Sequence, residues 1–195
     1  MTPDVFLKAT NQNLVNASLL ERLPALGLRQ CYLTAGCLYQ TIWNLRSGLP
    51  PHNAIKDYDV FYFDDGDLSW EAEDIVIQRA KHLLEDLPVS IEIKNQARVH
   101  LWYEKRFGSP CPQLHATSDG IDRFLISCTR VGINVKTREL YAPDGLQEMW
   151  EGILRINLLN PQQELFQQKA ESLRSRWPWL TIISAGFTDS YFQQP

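Results

Sequence analysis

Between Lys56 and Phe63 the chain runs Asp57-Tyr58-Asp59-Val60-Phe61-Tyr62-Phe63. β-branched and aromatic residues favour an extended strand, in which successive side chains point to opposite faces. Asp57, Asp59, Phe61 and Phe63 then share one face, and Tyr58, Val60 and Tyr62 the other. With apolar or aromatic groups on both, each face is covered, as in a layered α/β arrangement. Two carboxylates at i and i+2 lie about 7 Å apart at the backbone. Held at the end of a core strand, such like charges repel and lose hydration, so they need a cation or a raised pKa. Hard divalent cations with oxygen ligands meet that need, and paired cations about 4 Å apart assist in-line phosphoryl transfer. A strand ending at a solvated rim would instead leave both aspartates in water.

The surroundings of this strand read as alternating elements. Two helices are expected over residues 3–25, broken near Asn11 to Asn16. A short strand at Cys31 to Thr34 closes on Ala35-Gly36, and Leu38, Ile42 and Leu45 continue at helical spacing until Ser47-Gly48-Leu49-Pro50-Pro51. Ser69 is placed to cap a helix through Leu87, with Val76, Ala80, Leu83, Leu84 and Leu87 as its apolar stripe and Pro88 as its stop. Val89 to Asn95 alternates as a third strand, with Val89, Ile91 and Ile93 on one side and Ser90, Glu92 and Lys94 on the other. If it continued past Asn95, Arg98, His100 and Trp102 would share a face. Residues 107–120 read as loop, Ile121 to Ile126 as a short helix, and Thr129 to Val135 with Glu139 to Ala142 as a hairpin. Pro143-Asp144-Gly145 opens a helix to about Ile153, and Asn160-Pro161 another to about Arg174. The tail from Arg176 to Pro195, with Trp177, Trp179 and Phe187, is apolar enough to pack on the body or on a partner. A single domain over 1–195 is expected, with a core at about 28–160 and a helical extension at about 161–195.

Two features accompany the aspartate pair. Gly36 stands between a strand and a helix, where free N–H groups and the helix dipole can hold a phosphate. Glu92 stands on the polar face of the next strand. A glycine turn opening a helix, a carboxylate pair on the second strand and a third carboxylate on the next resembles the DNA polymerase β-like nucleotidyltransferases. A closer resemblance is to a bacterial nucleotidyltransferase-like family. It rests on Leu33-Thr-Ala-Gly-Cys-Leu-Tyr-Gln-Thr-Ile-Trp43, Asp57-Tyr-Asp-Val-Phe-Tyr-Phe-Asp64, Glu92-Ile-Lys-Asn-Gln-Ala-Arg-Val-His-Leu-Trp-Tyr103 and Leu140-Tyr-Ala-Pro-Asp-Gly-Leu146.

The resemblance implies an α/β (α+β) fold with a mixed β-sheet flanked by helices. It implies that Asp57, Asp59 and Glu92 hold Mg²⁺ or Mn²⁺, with Glu92 helping to deprotonate an attacking hydroxyl. Gly36 and Cys37 would offer backbone N–H groups to the phosphates of an NTP, and Lys94, Asn95, Gln96, Arg98 and His100 would belong to the substrate site. The product would be a nucleoside monophosphate joined to an unknown acceptor hydroxyl on a small molecule, protein or nucleic acid. The chain departs from the family pattern at Tyr39 and Gln40, where arginine and asparagine are usual, at Asn44, where aspartate is usual, and at Cys37, where the superfamily has a second glycine or serine. These departures bear on triphosphate binding more than on metal binding, and they motivate an alternative: a catalytically inactive descendant serving as a binding or regulatory module.

Charge distribution sharpens this picture. The net charge of −4 and pI near 5.6 argue against a generic nucleic-acid coat. Residues 57–91 carry 10 acidic and 2 basic groups, whereas 92–138 carry 4 and 8. An acidic block beside a basic one suits cations held next to phosphate, and the basic stretch could also serve a nucleic-acid-modifying enzyme. Glu71, Glu73 and Asp74 read as first-turn helix charges. Asp64, Asp65 and Asp67 lack the twelve-residue spacing of a calcium loop. Cys31, Cys37, Cys111 and Cys128 form no CxxC pair and read as free buried thiols. Asp4 and Lys8 interrupt the first ten residues, which therefore do not read as a signal peptide, and no apolar run is long enough to span a membrane. A cytoplasmic protein is expected. No Walker loop, GxGxxG or GxSxG motif occurs.

Overall fold

The computed structural model describes residues 1–183. The N-terminal helices are α1 (Pro3–Thr10) and α2 (Leu14–Arg22). Thr2 and Asn13 cap them by accepting hydrogen bonds from Val5 N–H and Val15 N–H. Strand β1 (Tyr32–Thr34) leads through Ala35 into α3 (Gly36–Arg46), and β2 (Asp57–Tyr62) follows. The crossover helix α4 (Trp70–Leu83) connects β2 to β3 (Ser90–Asn95), which pairs with it in parallel. Short helices α5 (Tyr103–Phe107) and α6 (Thr117–Ile121) precede the β4 (Gly132–Asn134) and β5 (Leu140–Tyr141) hairpin. Helix α7 (Gln147–Glu151), β6 (Ile153–Arg155), α8 (Gln163–Arg176) and β7 (Thr181–Ile183) complete the described chain.

The main sheet has the order β3-β2-β1-β4-β5, mixed in direction because only β2 and β3 run in parallel. Its β2 strand alternates as expected: Tyr58, Val60 and Tyr62 are buried, while Asp57, Asp59 and Phe61 are half-buried. A hydrophobic core cluster draws Leu19 from α2, Leu33 and Val60 from the sheet, Trp43 from α3, and Phe166 and Trp177 from the C-terminal segment. Trp43 and Trp177 meet edge to face with ring centroids 5.4 Å apart. Trp177 and Trp179 thus pack on the body, while Phe187 lies outside the described residues. All four cysteines are free and buried.

Several local expectations are corrected. The chain does not continue as a strand past Asn95: residues Gln96–Leu101 form a 3-10 helix, because Asn95 Oδ1 accepts the Ala97 N–H and turns the backbone. Arg98, His100 and Trp102 therefore share no strand face. The 107–120 segment is not all loop, since Asp119 accepts the N–H groups of His115 and Ala116 and starts α6 at Thr117. The helix expected over 121–126 accordingly ends at Ile121. Helix α4 stops at Leu83 because the residue before Pro88 is driven from helical angles and the preceding turn tightens. The helix expected to open at Pro143 starts only at Gln147, after a turn, and ends at Glu151, where Gly152 adopts φ 78° and turns the chain into β6. The C-terminal extension also contributes β7, which pairs in parallel with β6.

Candidate active site

Register decides which carboxylates meet. Asp59 stands opposite Glu92 on β3 and opposite Thr34 on β1, and Asp57 stands opposite Ser90. Register partners and i, i+2 neighbours project to the same face of a sheet, so Asp57, Asp59 and Glu92 lie together on the face away from Tyr58 and Val60. Burial pushes the Asp59 carboxyl up to about 6, and the charges of Asp57 and Glu92 add to the effect, against Lys94 and Lys169. An acid raised by its acidic neighbours is the electrostatic condition that a divalent cation relieves.

Glu92 is differently placed. Its Oε2 accepts from Lys94 Nζ, and that hydrogen bond holds its carboxyl below the usual range. Among the described residues no three His, Cys, Asp or Glu side chains converge as a metal-holding group. The hard-oxygen donor set of Asp57 and Asp59 fits Mg²⁺ or Mn²⁺; Glu92 fits it as a third ligand only when its carboxylate leaves Lys94.

The glycine turn adjoins the acids. Ala35 takes φ 62° and ψ −140°, a conformation that costs a non-glycine residue strain, and α3 starts at Gly36. A Cβ on Gly36 would lie 2.5 Å from Gln40 Nε2, so only glycine lets that amide fold back over the turn. Cys37 is fully buried and its Sγ donates to Thr34 O at 3.2 Å, so its side chain faces the core and only its backbone could serve a ligand.

Ala35, Tyr39 and Asp59 form one side of a cleft of about 310 Å³. Its other walls include Tyr103 and Phe107 from α5, Arg123 and Phe124 from the turn after α6, and Lys169 from α8. Rings dominate the lining: Tyr103 and Phe107 lie 4.7 Å apart, and Phe61 meets Phe124 edge to face at 5.9 Å. The cleft combines one acid, two cations and several aromatic faces, a composition suited to a phosphorylated aromatic ligand.

Other residues expected in the substrate site have structural partners. Arg98 is buried in an ion pair with the buried Glu73 and donates from Nε to Leu68 O at 2.9 Å. Glu73 is thus a core counter-ion as well as a first-turn acid. Asn95 is buried, accepts from Asp64 N–H and donates to Asp64 O, while its own N–H donates to Glu73 Oε1 at 2.7 Å. Gln96 is buried against Gly120, whose added Cβ would lie 2.0 Å from Gln96 Oε1. His100 is half-buried, lies off the cleft, and has a buried Nδ1 with no partner among the described residues. None of these four lines the cleft.

The positions that depart from the family pattern divide in the same way. Tyr39 lines the cleft. Gln40 accepts from Arg176 at 2.7 Å, and Asn44 accepts from Trp177 Nε1 at 3.1 Å while donating to Pro51 O and Asn53 O. Gln40 and Asn44 therefore tie α3 to the C-terminal segment. Tyr103, Phe107, Arg123, Phe124 and Lys169 were not singled out from the sequence; they come from segments whose patterning is irregular or, for Lys169, from the polar side of a helix.

Residues 21–182 match the model of a nucleotidyltransferase family. A protein solved by NMR, described as revealing a CCA-adding enzyme head domain, is 27% identical with a TM-score of 0.73, and the match covers 92% of this chain and 95% of that one. No curated protein matches the chain. Among the described residues no helix is long and apolar enough to cross a membrane.

Proposed function

The chain belongs to the nucleotidyltransferase family, and from that premise we propose that it transfers a nucleoside monophosphate from an NTP to an acceptor hydroxyl, using Asp57, Asp59 and Glu92. The observation that supports this reading is the register of β2 against β3, which sets the three carboxylates on one sheet face, with Asp59 lining the cleft. Mg²⁺ or Mn²⁺ held by Asp57 and Asp59, joined by Glu92 once free of Lys94, would neutralise phosphate charge and lower the pKa of the attacking hydroxyl.

The protein's own groups do the rest. Backbone N–H groups at Gly36 and Cys37, at the positive end of α3, offer donors to the phosphates. Lys169, beside Asp59 and Tyr39, adds a cation at the same end. The Glu92 carboxylate takes the acceptor's proton as the oxygen attacks the α-phosphorus. One O–P bond forms, the bond to the departing pyrophosphate breaks, and the apolar walls limit attack by water.

Incubation with α-labelled NTP, Mg²⁺ and cell extract tests the reading: label should pass to an acceptor, and Asp57→Asn with Asp59→Asn should abolish both transfer and the NTP-dependent rise in Tm. Absence of any metal-dependent NTP binding by the native protein would refute it. A binding or regulatory module is the second reading, favoured by the Glu92–Lys94 pair and by the use of Gln40 and Asn44 as internal ties. NTP binding without transfer of label would select it. For nucleic-acid modification, three of the eight basic residues in 92–138, Lys94, Arg98 and Arg130, are already paired with acids.

A further inference from the structure

The two cations of the cleft have different neighbours. Lys169 acts electrostatically on Tyr39 and Asp59. The Arg123 guanidinium lies 5.9 Å over the Tyr103 ring and acts on the Cys111 thiol. Among the described residues its buried Nε has no hydrogen-bond partner and Arg123 joins no salt bridge.

The turn that carries Arg123 is held from behind. Asn157 Nδ2 donates to Asp122 O and Phe124 O, and Asn160 Nδ2 donates to Arg123 O, at 2.6–2.7 Å. Both asparagines are buried. Three backbone carbonyls in succession are therefore fixed by side-chain amides, leaving the Arg123 and Phe124 side chains to present a preorganised surface to the cleft. A buried N–H without an acceptor is costly, and a ligand atom that accepts from it recovers that cost.

We propose that the Arg123–Phe124 turn reads the base of the nucleotide: the base stacks on the Tyr103, Phe107 and Phe124 wall, and Arg123 donates from its guanidinium fork to two neighbouring acceptors on the base edge. The proposal rests on the nucleotidyltransferase reading and adds which substrates it prefers. Guanine presents O6 beside N7, and cytosine presents O2 beside N3. In adenine the N6 amino group stands between N1 and N7 and the C2–H projects between N1 and N3, and in uracil N3–H stands between O2 and O4, so neither presents a clear pair to the fork. A bidentate arginine contact discriminates by about tenfold or more. GTP and CTP should therefore bind more tightly than ATP and UTP.

The test is titration of the full chain with each of the four NTPs in Mg²⁺, followed by Tm and by calorimetry. The native protein should favour GTP or CTP over ATP and UTP by about tenfold. Arg123→Gln and Arg123→Lys should each flatten that ratio, the latter although it retains the charge, because it loses the fork. Phe124→Ala should weaken all four NTPs together. Equal binding of the four by the native protein, or an unchanged preference in both Arg123 variants, would overturn the base-reading role while leaving nucleotide transfer intact. No binding of any NTP would overturn both. Circular dichroism of each variant checks that the turn's loss of function is not loss of fold.

Discussion

Asp59 offers the sharpest quantitative test, because its cost to the folded state can be worked from its surroundings. Burial and the charge of Asp57 raise its carboxyl from 3.8 to about 6, a difference worth ~3 kcal/mol between its two protonation states. The native carboxyl holds its proton more tightly than the unfolded one, so between about pH 4 and pH 6 the folded state binds the extra proton. Stability from this group is present at low pH, falls as pH rises through that window, and levels off above it. In chelator, Asp59→Asn should therefore stabilise the protein at pH ~7.5 by up to ~3 kcal/mol, with the gain vanishing near pH ~4. Urea unfolding of both proteins across this range reads the difference directly, and taking the difference cancels other carboxyls such as Asp86 and Asp67. Mg²⁺ at a hundredfold excess over its Kd should stabilise the native protein by ~3 kcal/mol and leave the variant unmoved. A variant no more stable than the native protein at pH ~7.5, or a gain that is constant with pH, would refute the electrostatic account.

Three further substitutions test the frame around the site. Arg98→Met leaves Glu73 buried without its partner and should cost ~3–5 kcal/mol, read from the urea midpoint, while its effect on NTP affinity in the folded protein stays small. Ala35→Gly relieves the φ 62° conformation and should raise stability by about 1 kcal/mol at an unchanged m-value. Asn44→Asp turns a donor to Pro51 O and Asn53 O into a buried carboxylate facing two carbonyls; a loss of ~3 kcal/mol or more in thermal or urea unfolding is expected, and a neutral result would contradict its assignment as an internal tie.

The sheet that carries the acids was legible because its signal is local. Alternation from Asp57 to Tyr62 defined both faces of β2, and that from Val89 to Asn95 both faces of β3; the parallel pairing that sets Glu92 beside Asp59 is seen only in the structure. Beyond Asn95 the same rule misled, since Arg98, His100 and Trp102 alternate as a strand would. There an asparagine side chain bonding its own backbone two residues on outweighed the pattern. Arg98 and Glu73 illustrate a second limit. An acid in the first turn of a helix and an arginine in a basic stretch each have ordinary surface readings, and only the folding of α4 over the 3-10 helix puts them together in the interior.

The far wall of the cleft was illegible for a physical reason of its own. Arg123 and Phe124 owe their orientation to Asn157 and Asn160, more than thirty residues downstream, which bond the turn's carbonyls. Hydrophobic periodicity records which face of an element is buried; it records nothing about an aperiodic turn held by amides from another segment. The same distance separates function from motif here. The carboxylates proposed to carry the chemistry lie on strands whose pattern is constrained by the core, whereas the residues proposed to choose the substrate lie on turns that can change without disturbing it. Nucleotide preference should accordingly be movable by substitution at Arg123, and overall nucleotide affinity by substitution at Phe124, with β2, β3 and the aspartate pair left in place.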